Sequence, residues 1–242
     1  MLFNKFGARL RAGPPADRGR RRIKVAHDVL RGSGIEIGAL HNPIPVSPSM
    51  MVTYVDRLPN EGLREHYPEI PSPSLVAVDI VDEAESLDSV PDASQDFVIA
   101  NHILEHCQDP IRAISSWIRV IRYEGVVFLA VPNMKLTFDR HRHLTSWPHF
   151  VRDWEEGPAW SRNSHYLEWT ELVEKHPPSG APSHAARLME DNYSIHFHVW
   201  TVPSLKRFLD KTSFLLANTF SLLQFVPNGD EALAILGKRR DA

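Results

Sequence analysis

This 242-residue chain is short of three things: it has one cysteine, twelve glycines, and no apolar run near the length of a membrane span. The lone Cys107 cannot form an intramolecular disulfide, so a reducing compartment, the cytoplasm, is expected. Beside a helix start it reads better as a small buried residue than as a nucleophile. Crossing a bilayer takes ~20 apolar residues, which argues against stable membrane insertion. The first residues also lack the unbroken apolar stretch of a secretory signal. There is no internal repeat and no coiled-coil heptad. What remains is ordinary: 43% hydrophobic and 24% charged residues in a length that suits one α/β domain with an elaboration.

Charge of one sign is scarce at one end. Residues 1–24 hold Lys5, Arg9, Arg11, Arg18, Arg20, Arg21, Arg22 and Lys24 against a single acid, Asp17, so that stretch is +7 and the rest is -10. Gly13-Pro-Pro15 and Arg20-Arg-Arg22 predict a mobile basic arm over residues 1–22, with no core to join. Such an arm either meets an anionic lipid or nucleic acid or is a solvated tail. The acidic body argues against nucleic acid as the main partner.

From residue 23 onward, short apolar runs alternate with helical periods. Strands are predicted at Ile35–Gly38, Val52–Asp56, Val76–Val81, Phe97–Ala100 and Val126–Val131. Helices are expected at Ile23–Leu30, Glu61–Tyr67 and Asp109–Arg122, the last with Ile111, Ile114, Ile118 and Ile121 on one face and an Asp-Pro start. Pro68–Pro73 reads as a rigid connector. This alternation means a parallel, doubly wound sheet. After a helix at Val202–Lys211, the apolar runs Phe214–Phe225 and Ala232–Gly237 flank Val226-Pro-Asn-Gly-Asp230, a hairpin signal that reverses the last strand. Between the fifth strand and that helix lies a 68-residue insert, Asn133–Trp200, with eight of the 13 histidines and five of the six tryptophans. Inserts of this length are usually lids or binding elements.

Three strand ends carry an acid: Glu36 before Gly38, Asp56 in Tyr54-Val-Asp-Arg57, and Asp79 in Val78-Asp-Ile80. An apolar strand ending in glycine, followed by one ending in an acid, is how an open α/β sheet holds a nucleoside. With Asn101-His-Ile-Leu-Glu-His106-x-x-Asp109-Pro110 and Glu124-Gly-Val-Val-Phe-Leu-Ala-Val-Pro132, these motifs resemble the class I S-adenosylmethionine-dependent methyltransferases of the type 11 kind. The resemblance implies a seven-stranded Rossmann-like sheet with an antiparallel last strand, a methyltransferase domain over 23–242, and a lid over 133–200. It implies Glu36 and Gly38 near the sulfonium amino acid, Asp56 with Arg57 at the ribose, Asp79 and Ile80 at adenine, and Asn101 and His102 beneath the methionine. The usual glycine-rich turn is here Gly38-Ala-Leu-His-Asn-Pro43, which leaves His41 and Asn42 as polar contacts. That variant resembles a branch linked to bacterial polysaccharide and glycolipid synthesis, mycobacterial sugar O-methyltransferases included.

A hydroxyl acceptor needs a base or a metal to take its proton. Asp139, His141, His143 and His149 follow the fifth strand, and histidine titrates near operating pH. His196 and His198 alternate in an extended stretch and are expected on one side. They could ligate a cation with Asp139 or Glu168, or donate to substrate; magnesium enters through the resemblance to related sugar enzymes. His165-Tyr-Leu-Glu168-Trp169 is a further polar-aromatic group, whereas His176 and His184 read as surface residues. Asp139, His149, His196 and His198 are the candidate catalytic residues. Trp147, Trp154, Trp160, Trp169 and Trp200 offer faces for a pyranose ring or a core for the lid. The expected activity is O-methylation of a sugar or oligosaccharide by in-line displacement, with a second copy of the chain as an optional partner. Alternatives are a lipid or phenol acceptor, a nicotinamide-dependent oxidoreductase, or a non-catalytic cofactor-binding module.

Overall fold

Seven strands form one sheet in the order β3-β2-β1-β4-β5-β7-β6: β1 Gly32–Ile37, β2 Met50–Asp56, β3 Ile80–Val81, β4 Gln95–Asn101, β5 Ile121–Pro132, β6 Phe220–Asn228 and β7 Glu231–Lys238. The computed structural model describes residues 15–68, 70–71 and 74–240. Residues 1–14 of the expected arm, and Glu69, Ser72 and Pro73 of the expected connector, lie outside them. β1 pairs in parallel with β2 and β4, β2 with β3, and β4 with β5. β7 runs antiparallel to both β5 and β6, so a single strand is reversed. Asn228, Gly229 and Asp230 make the turn, and Gly229 has the positive φ of 69° that such a turn asks of its glycine.

Period-two alternation splits the core between the two faces of the sheet. Ile35, Ile37, Val98, Ala100, Val127 and Leu129 point to one face, under α3 (Pro110–Val120) and α7 (Val202–Leu215). Trp117 and Ile114 of α3, and Leu205 and Leu209 of α7, complete that layer. Phe97, Ile99, Phe128, Ala130, Leu233 and Ile235 point the other way, onto Val25 and Ala26 of α1 (Pro15–Val29). Caps hold the helix starts: Asp109 accepts from the Arg112 N–H, and Thr201 and Ser204 form a reciprocal capping box.

Three expectations are corrected. Residues 15–22 are helical rather than mobile. Arg18 pairs with Asp230, Arg20 with Asp17, and Arg22 lies 3.5 Å from the buried Glu231, so two arginines of the basic run meet the hairpin acids. β3 shrinks to two residues because the Asn60 side chain, at the start of α2 (Asn60–His66), takes the Val76 carbonyl (2.7 Å) and the Val78 N–H (2.9 Å). The apolar run from Phe214 begins in α7, and β6 starts only at Phe220, after positive φ at Ala217 and Asn218.

The insert folds as α4 (Trp147–Glu156), α5 (Ala159–Glu168), a π-helical turn at Trp169–Val173, and α6 (Ala181–Glu190). Tyr166, Trp169, Val173, Leu188, Ile195 and Phe197 give it a small core of its own.

Candidate active site

A cleft of about 750 Å³ opens at the carboxyl ends of β1, β2 and β4, where open α/β sheets take their ligands. Gly38, Asp56, Arg57 and His102 line its sheet side, and the Asp82–Glu85 loop after β3 lines one end. Arg162, Tyr166 and the segment Asp191–Ser194 from the insert form the opposite wall.

Gly38 stands at φ +62° with its N–H on the Val55 carbonyl (2.8 Å), and a Cβ there would collide with the tip of Ile103. The backbone thus approaches the cleft at a position only glycine occupies without strain. Glu36 lies behind this turn, not on the cleft. Both of its oxygens accept from the Ile44 N–H (3.0 and 3.1 Å), tying down the glycine-poor loop from Gly38 to Ile44. Burial pushes its carboxyl up to about 7, against the pull of that bond, Asn101 and Arg22. His41 and Asn42 are exposed and pair with each other (2.8 Å) instead of entering the cleft.

Asp56 is buried at the end of β2, and burial raises its carboxyl. Its neighbour Arg57 reaches across to the Asn192 carbonyl (3.2 Å) and to His66 (3.1 Å). Arg162 donates to the Asn192 side chain (2.6 Å) and to Gln108 (2.7 Å). Two guanidinium groups therefore fasten the insert over the cleft.

Asp79 and Ile80 are not at the cleft. Asp79 is exposed and accepts from the Tyr54 N–H (2.8 Å), where it extends the β2 edge, and Ile80 packs on the core. The acid that follows β3, Asp82, lines the cleft instead, with Ser89 and Glu83 N–H groups on its carboxylate. Asn101 is likewise off the cleft, beside Glu36, and neither atom of its amide makes a well-formed hydrogen bond. His102 does line it, at φ +55°, 2.8 Å from Glu231 and 3.4 Å from Glu105. Burial alone would depress this imidazole, but the two carboxylates outweigh it and raise it to about 9.

The expected catalytic set lies elsewhere. Among the described residues, Asp139, His149, His196 and His198 are absent from the cleft lining. Asp139 holds His196 (2.7 Å) and Arg142 (3.3 Å), and Arg142 also binds Glu168 (2.8 Å) and the carbonyls of His196 and Phe197. This buried network braces the cleft wall at Phe197 from behind. His198 joins His149, His165 and Asp153 in a second cluster, where burial disfavours the charged form of all three imidazoles. His196 and His198 thus part company. The stretch around them is irregular rather than a strand, and each ring packs into a different cluster. The tryptophans also stay out of the cleft: Trp169 and Trp200 are buried, Trp147 and Trp154 pack on the core, and Trp160 carries Arg152 over its ring at 4.2 Å.

His106 closes the Leu-Glu-His stretch after β4 and does line the cleft. Its Nδ1 lies 2.9 Å from the Ile195 carbonyl and 3.0 Å from the Ser194 hydroxyl. A carbonyl can only accept, so Nδ1 carries the proton and Nε2 keeps its lone pair. Burial, and then His196, lower this imidazole to about 4. The sequence showed His106 only as part of a motif. Arg162, Asn192 and Tyr193 carried no signal, because the cleft wall they form exists only once the insert has folded.

Residues 28–129, from the end of α1 into β5, match the methyltransferase-domain family. A strand order of 3-2-1-4-5-7-6 with only β7 reversed agrees with that match. The fold is the methyltransferase-like Rossmann fold, and over residues 28–129 the chain resembles the class I S-adenosylmethionine-dependent methyltransferases. No curated protein matches this chain in sequence. Among solved structures it is similar to an S-adenosylmethionine-dependent methyltransferase of Thermotoga maritima described as a possible histamine N-methyltransferase. That pair shares 15% identity over 93% of this chain and 91% of that one, with a TM-score of 0.50. A Rhodobacter sphaeroides protein described as a Zn-dependent alcohol dehydrogenase shares 14% identity over 94% and 92%, at a TM-score of 0.54. The CurJ carbon methyltransferase shares 12% over 91% and 54%, at 0.50. At such identities these neighbours show the fold.

The cleft residues fit S-adenosylmethionine. Asp56 would hold the ribose hydroxyls, Asp82 would stand at the adenine end, and the Gly38 backbone would flank the amino acid. When bound, the cofactor supplies an electrophilic methyl group. The residues expected to hold magnesium do not form a site for it. The expected pair His196 and His198 is split, and imidazole-rich sets are poor sites for a cation that demands oxygen ligands.

Proposed function

We propose that this methyltransferase acts on a hydroxyl of a sugar or oligosaccharide, with His106 as the base that receives the hydroxyl proton. The observation that supports this most is the fixed tautomer of His106: a neutral imidazole on the cleft surface whose Nδ1–H is committed to Ile195. Its Nε2 is then the acceptor a hydroxyl needs as it becomes a nucleophile. Tyr67, Tyr166 and Tyr193 supply the aromatic lining assigned in the sequence to tryptophans, with Asn192, Ser194, Arg57 and Arg162 as hydrogen-bonding neighbours. Aromatic faces beside neutral and cationic donors suit a polyhydroxylated ring. The reaction proceeds without magnesium, in a cytoplasmic setting, with no nucleic acid partner.

Transfer of labelled methyl groups to a panel of oligosaccharides, phenols and lipids tests this reading. A sugar is expected to be labelled, at a rate independent of added magnesium. His106→Gln is expected to cut that rate by about 10²–10⁴-fold, the usual worth of a positioned base, with affinity for S-adenosylhomocysteine unchanged. Labelling confined to phenols or lipids would refute the acceptor, and a fully active variant would refute the base.

A further inference from the structure

We propose that His149, Asp153, His165 and His198 form a zinc site that clamps α4, α5 and the segment before α7 into one unit. His149 and Asp153 stand four residues apart on α4 and so share a face. His165 comes from α5, and His198 from the chain returning to the sheet. The four meet away from the cleft, in the body of the insert.

Their spacing is that of a coordination shell. The Nε2 atoms of His149 and His165 are 3.0 Å apart, and Asp153 Oδ2 is 3.3 Å from His149 Nε2 and 3.5 Å from His198 Nε2. Zinc with tetrahedral bonds of about 2.0–2.1 Å sets its ligand atoms roughly 3.3–3.4 Å apart. The three rings sit 4.9, 5.0 and 5.4 Å apart between centroids, at steep mutual angles of 66–79°. Their edges converge on a point instead of stacking.

The carboxylate is the second, independent sign. Asp153 is fully buried, and its Oδ2 accepts no hydrogen bond. Its other oxygen accepts from the Ser161 hydroxyl (3.0 Å), which fixes the orientation of the group, as ligating carboxylates are usually fixed. No lysine or arginine pairs with Asp153 among the described salt bridges. A buried carboxyl facing imidazoles has no lysine or arginine to hold it ionised, and a dication would supply that charge. Three nitrogens and one oxygen suit zinc. Near-complete burial makes the site a closed, structural one. His198 Nε2 also lies 3.1 Å from the Gln108 carbonyl, so the ion would replace the proton on that nitrogen, released to solvent. The other two histidine–carboxylate groups are weaker candidates, because in each an imidazole is already paired with a carboxylate: His196 with Asp139 (2.7 Å) and His184 with Glu174 (2.7 Å).

Elemental analysis of the full chain, followed by chelator treatment and titration with zinc sulfate, tests the site. The expected result is one zinc per chain, and a midpoint of thermal unfolding that rises by roughly 5–10 °C at zinc a hundredfold above its Kd. His165→Gln and His149→Gln should both lose the metal and this response. Retained binding of S-adenosylhomocysteine shows that a variant is folded. If a variant is unfolded, cobalt titration of the chelator-treated wild type decides, through the visible spectrum of a tetrahedral nitrogen–oxygen site. Wild-type protein with neither bound zinc, nor stabilisation by it, nor that spectrum would overturn the proposal and leave a hydrogen-bonded histidine cluster. Failure here does not touch the sugar-methylation reading, which rests on the cleft.

Discussion

Asp56 and His102 line the same cleft, and burial acts on the two in opposite ways. At Asp56 the cost of burying a carboxylate is uncompensated by any cation closer than its neighbour Arg57. Ribose hydroxyls would supply the missing donors. Asp56→Ala is therefore expected to weaken S-adenosylhomocysteine binding by about 2–4 kcal/mol, the worth of two hydrogen bonds to a charged group, as measured by titration calorimetry. At His102, Glu105 and Glu231 hold a proton that burial alone would expel, and the imidazole titrates at about 9. An unfolded histidine titrates near 6.5. The folded chain thus binds the proton more tightly, and the stability this confers is complete below about pH 6.5 and lost as pH rises through about 9. Urea unfolding across that window should show a decline that His102→Gln flattens. The ring is 38% exposed, so the effect is screened and modest.

At the scale of elements, legibility followed the source of each hydrogen bond. β4, β5 and α3 were readable because their apolar periods match the faces they bury, Phe97 and Ile99 against Val98 and Ala100 for instance. β3 was overstated because Asn60, not a neighbouring strand, satisfies Val76 and Val78. The basic run at Arg18–Arg22 read as an arm because the acids that Arg18 and Arg22 meet, Asp230 and Glu231, lie over 200 residues away. Asp56 reads as a strand-end acid and lines the cleft, but Asp82 is missed because Asp79, which precedes Ile80–Val81, reads as the acid that ends β3. The cleft wall formed by Asp191–Ser194 depends on Arg57 and Arg162 meeting at Asn192, a contact no spacing reveals. Arg162→Ala removes the bonds to Asn192 and Gln108. Faster amide exchange in residues 191–194 is expected, with KM for the acceptor up roughly tenfold and cofactor affinity nearly unchanged. Unaltered exchange there would mean the segment is held by its own packing.

On the scale of the whole molecule, the two parts of the chain divide the work. The seven-stranded body carries the sheet side of the cleft and the acids Asp56 and Asp82 that line it. The insert between β5 and α7 carries the Tyr166 and Tyr193 wall and a histidine cluster of its own. Glycine is spared in the turn after β1 because Glu36 does by hydrogen bonding what further glycines do by flexibility. That the cleft holds S-adenosylmethionine is tested most directly by calorimetry of the wild-type protein with S-adenosylhomocysteine and with NAD, side by side. Saturable binding of S-adenosylhomocysteine and none of NAD is the predicted result; binding of NAD alone would contradict it.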